Sequence, residues 1–445
     1  MIERERQAEL DRILQRVSAE NKIDLEATEF FVRTAVLALG GRILQEVIDR
    51  WGVDGTAEPV RCSCGQPMTS EGFRPKTIRT ILGQVTVRRR LYRCGHCGRL
   101  RFPADLALDM EGTGFSPACR HMMTRAGSQS PFAEAAADLH FYAQVTVSPK
   151  DVERVAEAMG REMDDWMQRH ASYARMLDGE GKTPPDVTEP IDILYVSYDG
   201  TGTPMRRSEL THTKSKTAGQ PAKTHEAKLG CVFTQTTVDD QGRPVRDPAS
   251  TTYVGAIEDS TNFGYRIVGE AIRRGMRKAR LVVLLIDGAA YNKSIAAEHF
   301  PHAILIIDLY HAREHLEALA KLLLPESRRP AILEQWKRLL DKGKIEALLA
   351  AVRTHLPRSG NRRKTALKAL RYFQENAPYM RYAEFRKMGL FVGSGVIEAG
   401  CKTLIGKRLK QSGMFWTDRG ANAIIAARCC HLSHRAEQFW EDRAA

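Results

Sequence analysis

Three acidic residues have the type and setting to hold divalent metal: Asp199, Asp287 and Glu398. Asp199 follows the apolar run Ile191-Asp-Ile-Leu-Tyr-Val-Ser-Tyr198, and Asp287 follows Leu281-Val-Val-Leu-Leu-Ile286. Glu398 lies in Gly393-Ser-Gly-Val-Ile-Glu-Ala-Gly-Cys-Lys402, where a basic helical segment begins. The small residues after each aspartate, Gly200-Thr-Gly-Thr-Pro204 and Gly288-Ala-Ala290, read as turns that leave a carboxylate open at a strand end. Hard oxygen ligands suit Mg²⁺ or Mn²⁺. Two such ions roughly 4 Å apart activate an attacking oxygen and stabilise a leaving one. An aspartate that only opens a turn is the plainer account of either residue alone. The pair, with Glu398 and its basic surroundings, favours metal.

The elements that must position these acids follow from hydrophobic periodicity. From residue 191 the order is strand (191–198), strand (228–236), strand (250–256), helix (262–276), strand (281–286), helix (290–298) and strand (303–307). A long helical stretch from 312 to about 390 precedes the Glu398 helix. Three strands followed by alternating helix and strand predict an α/β fold. The order is that of a ribonuclease-H-like catalytic core, here with a helical insertion. Six segments are expected: an N-terminal helical segment (1–55), a zinc-ribbon-like module (56–110), a helical region resembling a helix-turn-helix (111–185), the first part of the core (186–311), the insertion (312–390) and the rest of the core (391–445). A chain of 445 residues is too long for one ordinary core.

Charge suggests the partner. The net charge is +13, and residues 313–412 hold 22 Lys/Arg against 9 Asp/Glu, so this window carries an excess equal to that of the whole chain. Such a face attracts phosphate backbones, although a solvated helical surface would read the same way. No apolar stretch is long enough to cross a membrane, and the charged residues Met1–Arg16 do not resemble a leader. A cytoplasmic protein, beside the chromosome in a bacterium, is expected.

Cys62-Ser-Cys64 and Cys94-Gly-His-Cys97 flank an expected hairpin of Thr77–Leu82 and Val85–Tyr92. Two cysteine knuckles joined by a hairpin suit a structural Zn²⁺ held by four thiolates, with His96 as a substitute ligand. Four reduced thiols without metal are the plainer account. Arg88, Arg89 and Arg90 lie on the hairpin and are candidates for DNA contact. Further along, Pro131–His140 and a helix opening at Ser148 with Asp151 three residues later have helix-turn-helix spacing.

The words around the acids resemble a known family. Tyr198-Asp-Gly-Thr-Gly-Thr-Pro-Met205, Ile286-Asp-Gly-Ala289, and Gly393-Ser-Gly-Val-Ile-Glu398 continuing to Arg408-Leu-Lys-Gln-Ser-Gly-Met-Phe-Trp416 are similar to the DDE transposases of bacterial insertion sequences. The wording is nearest the ISKra-type group related to Mutator-like elements. Asp308-Leu-Tyr-His311 also matches the Asp-x-x-His signature of Mutator-like transposases. The resemblance covers about residues 190–430. It implies binding of double-stranded DNA (element ends and target), two-metal cleavage and strand transfer, and assembly as a dimer or larger homo-oligomer. It makes Asp199, Asp287 and Glu398 the metal-binding triad, with Asp308 as a rival third ligand. His311 is then placed at the scissile phosphate, or is a helix-start histidine satisfied by Asp308; Lys402, Lys407, Arg408 and Lys410 are placed on the DNA backbone, and Trp416 either against a base or in the core. Rival readings fit less well. A haloacid-dehalogenase-type phosphohydrolase would have its nucleophile at Ser197, and an aspartic protease needs Asp-Thr-Gly rather than Asp-Gly-Thr. A transposase-derived DNA-binding regulator or a ribonuclease-H-like nuclease are the remaining alternatives.

Overall fold

The computed structural model describes residues 24–51, 59–211, 213 and 221–444, together with Asp11 and Gln15. The chain divides into two compact units, 1–159 with 440–445, and 160–439. Of the N-terminal helical segment expected over 1–55, the residues before 24 lie outside the described ones apart from Asp11 and Gln15, as do 52–55. The rest is helix α1, Leu25–Trp51.

In the first unit, strands β1 (Met68–Thr80) and β2 (Gly83–Cys94) form an antiparallel hairpin, and β3 (Leu100–Arg101) adds briefly to β2. Alternation buries Ile78, Val85 and Val87 on one face, with Met110 and, from α1, Leu44 and Ile48. Beyond the reach of β3, the Gln45 amide takes the place of a strand. Its Oε1 accepts from Thr86 N at 2.7 Å, and its Nε2 donates to Thr86 O at 2.9 Å. This pairing satisfies edge groups that would otherwise be open. Helices α2 (Pro103–Ala107), α3 (Pro117–Gln129), α4 (Phe132–Ala143) and α5 (Pro149–Gly179) follow. Ser148 caps α5 as expected: its Oγ accepts from Asp151 N at 3.1 Å and donates to Asp151 Oδ2 at 2.7 Å. The helix then runs 31 residues, far past the short recognition-type helix that the spacing suggested. No proline interrupts it. Gly160 passes against another backbone, where a Cβ would lie 2.1 Å from Ala423 O.

The second unit is mixed α/β. Five strands lie in the spatial order β10-β9-β4-β5-β8. These are β4 (Ile191–Pro204), β5 (Thr224–Gln235), β8 (Thr252–Ala256), β9 (Ala279–Ile286) and β10 (Ile304–Ile307), with β6 (Thr237–Val238) and β7 (Pro244–Val245) as a separate small ribbon. β4–β5 and β5–β8 are antiparallel; β4–β9 and β9–β10 are parallel. Helices α6 (Ser260–Arg273) and α7 (Ala290–His299) make the crossovers that parallel neighbours require. The unbroken apolar run of β9 reflects burial on both faces. Side chains cover the open edge of β8. Asn422 Oδ1 accepts from Ile257 N at 2.7 Å, and Ser433 Oγ accepts from Tyr253 N at 2.8 Å. After β10 come five helices: α8 (Leu309–Leu323), α9 (Arg329–Asp341), α10 (Ile345–Arg353), α11 (Asn361–Asn376) and α12 (Tyr382–Lys387). The chain then returns to the sheet.

One expectation needs correction. Asp199 does not end its strand, because β4 continues to Pro204 in register with β5, pairing Gly202 with Glu226 and Pro204 with Thr224. The glycines after Asp199 permit close packing across the strands and do not form a turn.

Behind the sheet, Glu270 is 2% exposed. Burial pushes its carboxyl pKa up, but Arg273 and Arg435 outweigh this and bring it down to about 2. Arg273 clasps both carboxylate oxygens, at 2.6 and 2.8 Å. Glu270→Gln is expected to destabilise the protein by about 3–5 kcal/mol in urea denaturation at neutral pH, since a buried guanidinium loses its counter-charge. A depressed folded pKa stabilises above the unfolded value. Glu270's contribution is therefore complete above about 4.5 and is lost as pH falls toward about 2. The variant's deficit should shrink across that interval.

Candidate active site and metal centre

The parallel register sets the acids level with one another. β4 and β9 pair Ser197 with Leu285, and two further residues along each chain bring Asp199 opposite Asp287. β9 and β10 pair Ile286 with Ile307, so Asp287 and Asp308 are also level, and Asp308 N donates to Ile286 O at 2.8 Å. Neighbouring strands lie about 4.8 Å apart, so the three aspartates stand in a row across the sheet, Asp199 within β4 and the other two just past β9 and β10.

Their surroundings differ. Asp199 is half-buried, and its Oδ1 accepts from Gly200 N at 2.7 Å. Burial raises its pKa above the ordinary carboxylate value, the Gly200 amide opposes this, and Asp287 and Glu226 add to the rise. Asp287 Oδ1 accepts from Ala289 N at 2.9 Å and from Asn292 Nδ2 at 2.6 Å. Asn292 is fully buried, and its backbone carbonyl accepts from the Tyr198 hydroxyl at 2.7 Å. One Asp287 oxygen is thus held by two donors. Asp308 is also fully buried; its Oδ1 accepts from His311 N at 2.7 Å and its Oδ2 accepts from Ser394 N.

Glu398 arrives from the chain after the insertion. Ser394 O accepts from Glu398 N at 3.1 Å and Ser394 Oγ donates to Glu398 Oε1 at 3.3 Å. The helix Gly395–Gly400 passes into a π-helical turn, Cys401–Gly406, and then Lys407–Leu409. Ligand atoms of Asp308, His311 and Glu398 lie within 4.8 Å of one another, a group able to hold a metal ion. Asp199 and Asp287 are not part of that tight group, although both charges act on one another and His311 acts on Asp199. The acids crowd a partly buried place, which a divalent cation would relieve.

The four cysteines converge. Ligand atoms of Cys62, Cys64, Cys94 and Cys97 all lie within 4.8 Å of one another, with Cys62 and Cys97 sulfurs 3.5 Å apart and Cys64 and Cys94 sulfurs 3.6 Å apart. None is in a disulfide. Four thiolates 2.3 Å from a tetrahedral ion would sit about 3.8 Å apart, so the donor set fits zinc. Each knuckle closes on a glycine with positive φ: Gly65 N donates to Cys62 O and Gly98 N to Cys94 O, both at 2.9 Å. The Cys64 amide is the main influence lowering the Cys62 thiol to about 6. Against the Gln66 amide, the crowding of the other cysteines and burial raise Cys64 to about 11, so without a cation the four sulfurs compete for charge.

The basic candidates separate into two groups. Lys402, Lys407 and Lys410 are exposed, as is Arg88; Arg90 is half-buried, its guanidinium 4.5 Å from the Phe73 ring centre. Arg89 is held inside by Asp105 at 2.5 Å and by the Phe102 ring at 3.9 Å. Arg408 is fully buried, 5.0 Å from the Trp416 ring. Trp416 is 7% exposed; its Nε1 donates to Leu409 O at 3.0 Å and its backbone bridges the end of β4. As placed, Arg89, Arg408 and Trp416 serve packing and do not face a ligand. Sequence reasoning did not single out Glu226 or Asn292. Glu226 depends on the strand register, whereas Asn292, five residues after Asp287 at a helix start, had a readable spacing.

No protein family and no curated protein matches the chain. Among solved structures it is similar to the Drosophila P element transposase strand transfer complex, at 9% identity over 75% of this chain and 83% of that one, with a TM-score of 0.25.

Gly200 constrains the acid row. A methyl there would lie 2.8 Å from Glu226 Cδ and 2.9 Å from the Tyr291 hydroxyl. Gly200→Ala should therefore cost about 1–3 kcal/mol of stability, read as a lower urea midpoint. An unchanged midpoint would show that Glu226 and Tyr291 yield freely.

Proposed function

We propose that this protein is a DDE transposase of the bacterial insertion-sequence kind, in the ISKra-type group related to Mutator-like elements. It binds the ends of a mobile DNA element and catalyses metal-dependent strand cleavage and strand transfer. The observation that carries the reading is the register that sets Asp199 beside Asp287 on parallel strands of a β10-β9-β4-β5-β8 sheet. That strand order is the ribonuclease-H-like one, and Glu398 follows the helical insertion at the position the third acid of such a triad occupies.

On this reading Asp199, Asp287 and Glu398 hold two Mg²⁺ or Mn²⁺ ions, whose chemistry is to activate the attacking oxygen and stabilise the leaving one. The hydrolytic step breaks a phosphodiester P–O bond and leaves a 3′-hydroxyl; in transfer, that hydroxyl displaces an oxygen at a target phosphate. Glu398 is preferred to Asp308 because Asp308 exposes no surface and both its oxygens already accept N–H groups. Asn292 fixes Asp287, and His311 acts beside Asp199 at the scissile phosphate. Lys402, Lys407 and Lys410 supply exposed cations along the DNA backbone next to Glu398, and Arg88 and Arg90 supply them on the hairpin. The cysteine cluster holds structural Zn²⁺ there. Among the described residues no helix is long and apolar enough to cross a membrane. A dimer or larger assembly in the cytoplasm completes the reading, since two element ends must be paired.

With Mg²⁺ or Mn²⁺ and DNA carrying the element's ends, the protein should nick and join strands. Asp199→Ala, Asp287→Ala and Glu398→Ala should each lower the rate by about a thousandfold or more, the loss of several kcal/mol of transition-state stabilisation. DNA affinity in a gel-shift assay should stay within about twofold. Full activity in any of the three would remove that residue from the triad, and a metal-independent wild-type reaction would remove the reading. Elemental analysis should find about one zinc per chain, lost in Cys94→Ser.

A further inference from the structure

Asp308 begins the Asp-x-x-His motif, yet the proposed chemistry gives it no part. Its carboxylate joins two segments far apart in sequence. One oxygen caps helix α8 through His311 N; the other receives Ser394 N, four residues before Glu398. Two neighbouring contacts reinforce the joint. Leu309 N donates to Val392 O at 2.9 Å, and the Tyr310 ring lies against Gly393 so closely that a Cβ there would be 2.5 Å from it. Ser394 then passes the position on, since its carbonyl accepts from Glu398 N and its hydroxyl donates to Glu398 Oε1. Asp308 itself sits at the end of β10, level with Asp287.

We infer that Asp308 is a positioning residue, a buried hook that docks the Val392–Glu398 segment on the sheet and so fixes where Glu398 stands. This rests on the transposase reading for its consequence, though not for the hook itself. A five-helix insertion separates β10 from Glu398, so local chain geometry alone cannot fix the glutamate. The hook does so from the sheet: strand end, carboxylate, Ser394, Glu398. Ligand duty at Asp308 would have to share its oxygens with the His311 and Ser394 amides.

The test uses the full-length protein. In the metal-free state, Asp308→Asn should speed amide hydrogen exchange across residues 392–398 by about tenfold or more, because an amide cannot accept from both N–H groups through its two heteroatoms. The β4–β9 amides should keep their protection. Element-end cleavage should fall about 10- to 100-fold in kcat with KM for DNA unchanged, the range for groups that orient a metal ligand. Glu398→Cys should regain activity when Mn²⁺ or Cd²⁺ replaces Mg²⁺, and Asp308→Cys should not. Gly393→Ala pushes the same segment off Tyr310 without altering Asp308, and should give the same exchange pattern should Asp308→Asn fail to fold. Unchanged exchange at 392–398 in a folded Asp308→Asn, or recovery of Asp308→Cys by a thiophilic ion, overturns the hook. Absence of DNA cleavage by the wild type, with the exchange pattern as expected, overturns the transposase reading and leaves the hook standing.

Discussion

The register of three parallel strands is the constraint on which the rest depends. β4, β9 and β10 hydrogen-bond so that positions 199, 287 and 308 come level, and each of these is an aspartate. Parallel pairing is possible only because helices α6 and α7 cross over between strands, and it is stable only because β9 is apolar on both faces. A slip of one residue in any strand would turn its aspartate to the opposite face. The buried Ser197 hydroxyl, which donates to Leu285 O at 2.6 Å, binds β4 to β9 just below the acids. The acid row is therefore a property of the sheet, and its precision is that of backbone hydrogen bonding.

The three aspartates carry different loads within that common level. Asp308 accepts one N–H on each oxygen, Asp287 accepts two donors, from Ala289 and Asn292, on the same oxygen, and Asp199 has one backbone donor. Burial and the neighbouring Asp287 and Glu226 charges raise the Asp199 pKa, which sets that carboxyl against its own ionisation. On the proposed reading, a divalent ion held by Asp199 and Asp287 would reverse that balance. The cysteine cluster works on a different principle. It closes on itself, with four sulfurs and two glycine-closed knuckles, and its service is to the hairpin that carries it.

Much of this was legible in the sequence. Leu281–Ile286 is an unbroken apolar run that could only be a buried strand or a short helix, and Asp287-Gly288 ends it. The cysteine spacing and the Ser148–Asp151 capping signal were readable for similar local reasons. What escaped depended on partners. Gly200 and Gly202 looked like a turn, because only β5 across the sheet shows them as flat strand with Glu226 alongside. Arg89, Arg408 and Trp416 looked like ligand-facing groups. Charge does not reveal its direction, and Asp105, Met414 and Leu409 hold them inward. The π-helical turn Cys401–Gly406 adds a second cause. It breaks the 3.6-residue phase, so spacing from Glu398 does not tell which way Arg408 points.

The most direct measurement is an anomalous difference map from crystals grown with Mn²⁺ and a cleavage-incompetent element-end DNA. The account predicts metal density within ligand distance of the Asp199, Asp287 and Glu398 carboxylates and outside ligand distance of both Asp308 oxygens. Density seated on Asp308 and His311, with Asp199 bare, would contradict it.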